Sequence, residues 1–358
     1  MQLSEKAAPR VHGIVLAGAY PDGKCTLDQL APRPLLPVAQ QPLITYALRW
    51  MRGGGLRRVT ICTNAAARGV RDSVDRSPLG LEVDYFEDWS PRGAAGCIRD
   101  AGVRAEAQTF LVAEATTVPV VDVGELLAAH RAAEAAVTVV VGADSAGRLR
   151  PTGVYVFDRW AFEFIPEEGF YDIKEKLIPR LYAGGETVST HVAPEMAPRV
   201  VNADSYLALN QWAIERAGDH VGSADGFQVT GEALVHESAQ VDPSARLLGP
   251  VLVGPRASIG AGVTLVGPVS IGQETTVGDG AVVSRSVVWA GCRVGSGAFV
   301  DRSMLGDGAG VGTRKLLVSS VRADDRRKLP AGIPPQRSGR ALWAPLVAAL
   351  RPAATHRS

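Results

Sequence analysis

Only four cysteines occur in 358 residues, Cys25, Cys62, Cys97 and Cys292, and no two of them form a C-x-x-C pair. That scatter suggests neither a cysteine-held zinc nor a disulfide framework, so a reducing cytoplasm is the expected compartment. No run of about 18 apolar residues is present, and the opening MQLSEKAAPR lacks the apolar core of a secretory leader. A membrane span is not expected. An excess of one charge is missing too: 38 Lys and Arg stand against 37 Asp and Glu. A nucleic-acid partner is therefore not expected.

What the chain does have is two different rhythms. From Val11 to about residue 218, short apolar runs (VHGIVLAG, RRVTICTN, LEVDYFED, TFLVAEA, AVTVVVGA) alternate with helical patterns (QQPLITYALRWMRGGG, GAAGCIRDAGVRAEA, DVGELLAAHRAAEA). Strand then helix, repeated, predicts a mostly parallel sheet with helices on both faces. Ligands of such sheets sit at the carboxyl ends of the strands, where the first loop, AGAYPDGK, falls.

After residue 222 the period becomes six. Val235, Val241, Leu247, Val253, Ile259, Leu265, Ile271, Val277 and Val283 follow that spacing without a break. Neither a helix face nor an alternating strand repeats this way, whereas a parallel β-helix turns one aliphatic side chain inward every six residues. Past Val283 the spacing slips, with Val294, Val300, Leu305 and Val311 as continuations. The expected domains are 11–218, 230–314 and a tail, 315–358. In the tail, RALWAPLVAALRPAATHRS suggests a helix capping the open end of the coils or an interfacial membrane foot.

GIVLAG, then PRPLLPV, PRGAAGCIRDA, TGVYVF and the six-residue repeat, in this order, resemble the sugar-1-phosphate nucleotidyltransferases, above all the mannose-1-phosphate guanylyltransferases and glucose-1-phosphate nucleotidyltransferases. The resemblance implies a Rossmann-like nucleotide-diphospho-sugar transferase domain followed by a left-handed parallel β-helix. It also implies a reaction in which a sugar 1-phosphate attacks the α-phosphorus of an NTP and pyrophosphate leaves, assisted by Mg²⁺. Positioning and charge neutralisation do most of the catalytic work in such a transfer.

Carried over residue by residue, the resemblance gives an incomplete site. It implies nucleotide binding by Leu16, Ala17 and Gly18 and by the turn Gly93, Ala94 and Gly96. In the family loop L-A-G-G-x-G-T-R, however, the later positions fall on Ala19, Pro21, Asp22 and Gly23. Proline has no N–H to offer a phosphate, and Asp22 brings like charge. Lys24 is the candidate replacement for the lost arginine, and Arg33 stands where the family has its P-K-P lysine. Gly153, Lys174 and Glu175 fall in the sugar-binding segments, with Lys176 an alternative in the same run.

The two family metal aspartates fall on Thr116, with Glu114 two residues earlier on the same strand face, and on Arg199. An arginine about 4 Å from a divalent ion would cost roughly 8 kcal/mol at an effective dielectric near 20. The family's F-x-E-K-P segment, whose lysine contacts the sugar phosphate, has no counterpart in TVVVGADSAGRLRPTGVYVF.

These departures all remove parts of one phosphate and metal machinery. The expectation is a homologue with weak or lost catalysis that binds a nucleotide or nucleotide sugar as a regulatory or scaffold subunit. No cofactor is expected, and Mg²⁺ enters only on the alternative reading, an active enzyme with a rearranged phosphate site. The coils imply a homo-oligomer or association with an active relative. A third reading, a β-helix acyltransferase, would need a catalytic histidine and an extruded loop. The repeat has no insertion, and His236 is the only histidine in it.

Overall fold

The computed structural model describes residues 10–18, 26–67, 69–76, 79–144, 146–216 and 226–324. Contacts divide the described chain into two compact units. One holds 10–18 and 43–197, the other 26–42, 198–216 and 226–324. The period changes near residue 218, but 26–42 and 198–216 pack with the coils.

The first unit is built on a seven-stranded sheet. Its strands are β1 (Val11–Leu16), β4 (Arg58–Thr63), β5 (Glu82–Glu87), β6 (Thr109–Glu114), β7 (Val137–Ala143), β8 (Leu149–Asp158) and β9 (Val188–Val192). The remaining short strands β2 (Pro37–Val38) and β3 (Gln41–Pro42) form a hairpin in the second unit. The sheet order is β5-β4-β1-β6-β8-β7-β9. Only β8 runs antiparallel to its neighbours, β6 and β7.

Helices α1 (Ile44–Gly53), α2 (Val70–Asp75), α3 (Gly93–Gly102), α4 (Val123–Ala132) and α5 (Ile178–Ala183) complete this unit. Successive residues of β1 face opposite layers, as strand geometry requires. Ile14 joins the core cluster that includes Ala95 and Ile98 of α3 and Leu181 of α5. A Cβ on Gly13, by contrast, would lie 2.8 Å from the Met51 sulfur of α1. Only glycine lets α1 pack this close to the strand.

The second unit coils 17 or 18 residues at a time through three parallel sheets. Val235, Val253 and Ile271 stand in register at intervals of 18. From Ile271 to Val288 to Leu305 the interval is 17. The spacing slip past Val283 is therefore one residue lost from the corner that follows the 282–284 strand. That corner, and its later counterparts, turn on Arg285, Arg302 and Ser319, each with a φ near +45°. A left-handed residue tightens the turn by one position at a small conformational cost. The expected continuations Val294, Val300, Leu305 and Val311 all point inward and are buried.

Helix α6 (Ala203–Glu215) and the β2–β3 hairpin belong to this coiled unit. The Gln40 side chain donates to the carbonyls of Ile271 (2.8 Å) and Leu252 (3.4 Å). The buried Tyr206 hydroxyl donates to the Pro37 carbonyl and accepts from Trp289 Nε1 at 3.0 Å. These bonds tie the stretch leading out of the first loop to the coils. Residues 325–358, and with them the expected capping helix of the tail, lie outside the described residues.

Candidate functional site

The candidate site is assembled at the carboxyl edge of the large sheet. Leu16, the last residue of β1, lies in register with Glu114, the last of β6. The ladder runs on past both strand ends: Ala115 N donates to Leu16 O (2.9 Å), and Ala17 N donates to Cys62 O (2.8 Å). The Ala17 amide is thus engaged in the sheet, while Gly18 is exposed. Residues 19–25, including Lys24, lie outside the described residues.

Glu114 is half-buried, and the fully buried Tyr155 of β8 donates its hydroxyl to Glu114 Oε1 at 3.5 Å. Gly153 stands beside them with φ +91°, and a Cβ there would come within 3.0 Å of both Glu114 Cδ and Thr117 Oγ1. Thr117 Oγ1 in turn donates to Thr152 O at 2.6 Å. Glycine at 153 is therefore required by the approach of the carboxylate and by its own left-handed backbone. Tyr155 and Thr117 are members of this cluster that the motifs did not single out. The alternation of β8, facing β6 in antiparallel register, was the available signal for Tyr155.

A second group forms around the start of α3. A helix N-terminus leaves four N–H groups without partners inside the helix, which makes it a natural anion site. Here the Tyr171 carbonyl accepts from Ala95 N (3.1 Å) and Gly96 N (3.4 Å), and Tyr171 N donates to Arg92 O (2.7 Å). Gly93 has φ +73°, and a Cβ on it would lie 2.6 Å from that same carbonyl. The turn is closed by the chain's own backbone.

Beneath it, the buried Arg92 guanidinium donates to Asp100 (2.8 Å), Gly169 O (2.5 Å) and Pro166 O (2.7 Å). Gly96 leaves the room this side chain needs, since a Cβ there would lie 2.8 Å from Arg92 Cβ. Ala94 is half-buried against the core. Hydrogen bonding to Asp100 raises the Arg92 pKa further, so the charge is fixed.

The same segment carries the sugar-binding candidates. Asp172 Oδ1 accepts from the backbone N–H groups of Lys174 (2.7 Å) and Glu175 (3.1 Å), starting the helical turns of 173–183. Lys174 is half-buried and Glu175 exposed. Lys176 Nζ donates to Phe170 O at 2.6 Å. Tyr171 thus brings the 93–96 turn and the 174–175 segment together.

The other candidates belong to the coiled unit. Arg33 forks onto Asp28, with Nε to Oδ1 at 2.9 Å and Nη2 to Oδ2 at 3.2 Å. The Asp28 side chain is 7% exposed and that of Arg33 27%, so the pair is partly withdrawn from solvent. Arg199 is half-buried.

Between β7 and β8 the chain turns back directly. Asp144 Oδ1 accepts from Ala146 N (3.0 Å) and Arg148 N (2.9 Å), and these backbone bonds, Arg148 first, hold its carboxyl down at about 2. A hairpin this tight has no loop to carry a further lysine.

Where the resemblance places the first metal aspartate, the described residues offer one carboxylate, Glu114, and the hydroxyl of Thr116. Among the described residues no group of three or more His, Cys, Asp or Glu side chains is arranged for a metal ion. Mg²⁺ takes near-octahedral oxygen ligands, usually one or two carboxylates with substrate phosphates. The pair of aspartates that the resemblance implies is not reproduced, so the residues present do not fit Mg²⁺ in the family manner. The described cysteines are not activated thiols: burial pushes Cys62, Cys97 and Cys292 up, and Cys97 Sγ donates to Asp88 Oδ2 at 3.1 Å. No described helix is long and apolar enough to cross a membrane.

Residues 13–176 match the nucleotidyl transferase family, and residues 247–325 match the GMPPB C-terminal domain. A mannose-1-phosphate guanylyltransferase of Mycobacterium tuberculosis is 29% identical over 270 residues, spanning 68% of this chain and 75% of the relative. A probable mannose-1-phosphate guanylyltransferase 2 of Oryza sativa is 24% identical over 277 residues, 66% of this chain and 74% of the relative. The low-salt glycan biosynthesis nucleotidyltransferase Agl11 of Haloferax volcanii is 27% identical over a shorter stretch of 93 residues, 25% of this chain and 26% of the relative.

Proposed function

Because the chain belongs to the sugar-1-phosphate nucleotidyltransferase family, we propose that it has kept the family's binding fold while its catalysis is weak or lost. On this reading it binds a nucleotide or nucleotide sugar in the cytoplasm and serves polysaccharide or glycoconjugate synthesis as a regulatory or scaffold subunit. The observation that carries the proposal is what the described residues offer where the resemblance places the metal: Thr116 with one neighbouring carboxylate, Glu114, held by Tyr155.

The transfer reaction develops negative charge on phosphate oxygens, and that charge has to be met by fixed cations. Two features weaken the supply. Arg33 is paired with Asp28, which cancels much of its field. The direct β7–β8 turn leaves no segment for a sugar-phosphate lysine. Binding asks for less: Leu16, Ala17 and Gly18 at the end of β1, the 93–96 turn, and Gly153, Lys174 and Glu175 remain as its candidate contacts. The C-terminal coils, taken as the family's left-handed β-helix, would join copies of this chain or an active relative.

One observation favours the second reading, an active enzyme with a rearranged site. Glu114 ends β6 in register with Leu16, where a displaced ligand for Mg²⁺ would have to stand. Arg33 and Lys24 would then supply the phosphate charge. Equilibrium titration with nucleoside triphosphates and nucleoside diphosphate sugars tests the binding proposal. Saturable binding that Gly93→Ala or Gly153→Ala weakens supports it. No binding by folded protein would leave only a scaffold.

A further inference from the structure

Five tryptophans fall among the described residues, and four of them are engaged. Trp50 Nε1 donates to Val121 O (2.6 Å) and Trp289 Nε1 to the Tyr206 hydroxyl (3.0 Å). Trp212 lies under the Arg216 guanidinium at 4.5 Å, and Trp160 packs against the core of the first unit. Trp89 is the exception. It is 82% exposed, and among the described residues no hydrogen bond or ring contact engages its indole. One exposed apolar side chain is ordinary by itself; what distinguishes this one is its place.

Trp89 stands at the carboxyl edge of the large sheet, where open α/β sheets bind their ligands. Leu16 of β1, Cys62 of β4 and Phe86 of β5 form one row there, two strand spacings or about 10 Å from end to end. Gly18 and Asp88 each follow two residues beyond that row, and Trp89 comes next. The turn that carries it is fixed. Asp88 Oδ2 accepts from Arg92 N (3.3 Å) and Cys97 Sγ (3.1 Å), Tyr171 N donates to Arg92 O (2.7 Å), and Pro91 restricts the backbone of Ser90. The backbone beneath the indole is therefore set before any ligand arrives, which lowers the cost of binding on it.

The groups around the turn suit a flat, neutral ring better than a phosphate. The Ala95 and Gly96 amides of α3 already donate to the Tyr171 carbonyl. Arg92 is bonded to Asp100, Pro166 O and Gly169 O, and Arg99 is paired with Asp100 and Glu167. Glu87, before the turn, and Glu168, on the segment bonded to it, are exposed carboxylates. On that same segment Phe170 is 49% exposed, but Lys176 Nζ lies over its ring, 5.7 Å from the centroid. Arg180 donates to the Tyr171 hydroxyl at 3.5 Å, and Lys174 is half-buried. Trp89 is thus the aromatic face beside this turn that carries no cation.

We propose that Trp89 is a nucleobase platform: the base lies flat on the exposed indole, and the ribose and phosphates run along the sheet edge towards the end of β1. The inference rests on the nucleotide-binding reading and adds the residue that meets the base. Stacking accepts any base, since each has a π face, and a purine covers more of an indole than a pyrimidine does. Purine nucleotides are therefore the preferred class.

The test is titration of the full chain, Trp89→Ala and Trp89→Phe with ATP, GTP, CTP, UTP, inorganic tripolyphosphate and mannose 1-phosphate, read by calorimetry and by tryptophan emission. Trp89→Ala should weaken the purine triphosphates about ten- to hundredfold and the pyrimidine triphosphates less, and Trp89→Phe should restore most of the loss. ATP and GTP should quench the wild-type emission, and Trp89→Phe should bind them without that quench. Affinities for tripolyphosphate and mannose 1-phosphate, which have no base, should be the same in all three proteins, as should the melting temperature. Equal nucleotide affinities in the wild type and Trp89→Ala would overturn the inference and leave the binding reading standing. A loss confined to mannose 1-phosphate, or one shared by tripolyphosphate, would also overturn it and move the indole to the sugar or the phosphates. No nucleotide binding by folded wild-type protein would remove the binding reading and this inference together.

Discussion

Arg33 and Asp28 face each other through two parallel hydrogen bonds, 2.9 Å and 3.2 Å, within one short loop of the coiled unit. On the resemblance the arginine falls at the family's lysine position, and on the proposed reading this pair sets how much of its charge is left for a phosphate. A compact ammonium would be a point charge; a guanidinium locked in a fork is directional and already occupied.

Asp28→Asn should therefore tighten nucleoside triphosphate binding by about three- to tenfold, the equivalent of roughly 1 kcal/mol. Arg33→Ala should weaken it. Isothermal titration of the two variants checks both signs. Equal affinities in all three proteins would remove Arg33 from the phosphate site.

Arg92 holds the turn before α3 to the 166–171 segment from below. Arg92→Met should cost about 3 to 5 kcal/mol, because Asp100 and the carbonyls of Pro166 and Gly169 lose their partner. Urea unfolding measures this directly. A loss under about 1 kcal/mol would show that water replaces the guanidinium.

Gly93→Ala should cost at least about 2 kcal/mol, since the new Cβ has to displace the Tyr171 carbonyl as well as adopt a left-handed backbone. Gly147 has the same φ, +73°, but open space around it. Gly147→Ala should cost only about 1 kcal/mol. Comparing the two by chemical unfolding separates backbone strain from the clash.

His130 is 2% exposed, bonded to Thr138 Oγ1 at 2.8 Å, and burial lowers its pKa from 6.5 to about 4, with Arg131 adding to the effect. The folded state therefore takes up its proton later than the unfolded one as pH falls. Its stabilising contribution is complete above pH 6.5 and is lost progressively towards pH 4, by roughly 3 kcal/mol. His130→Asn should flatten this part of the stability profile. Stability curves at pH 7, 6, 5 and 4 test it.

Much of the fold is legible in the sequence because its periods are physical. Ile259, Leu265 and Ile271 sit at a spacing of six since each of the three sides of a coil turns one aliphatic side chain inward. The slip after Val283 was visible, but its cause was not: a corner shortened around Arg285 looks in sequence like any missing residue. The grouping of α6 and 26–42 with the coils was hidden for a related reason. It rests on single long-range bonds such as Gln40 to Ile271 and Tyr206 to Trp289, which leave no periodic trace.

The site was legible as a set of positions, less so as contacts. Gly93, Gly96 and Gly153 could be named from their motifs. That Tyr171, Arg92 and Glu114 are the groups needing those glycines emerges only when distant segments meet.

The central claim is that the family's reaction is weak or lost here. Pyrophosphate release should be measured on protein shown to be folded, with each NTP, mannose 1-phosphate or glucose 1-phosphate, and Mg²⁺. The account predicts no release above the protein-free background while nucleotide binding persists. Mg²⁺-dependent release that Arg33→Ala abolishes would contradict it and make the second reading the function of this chain.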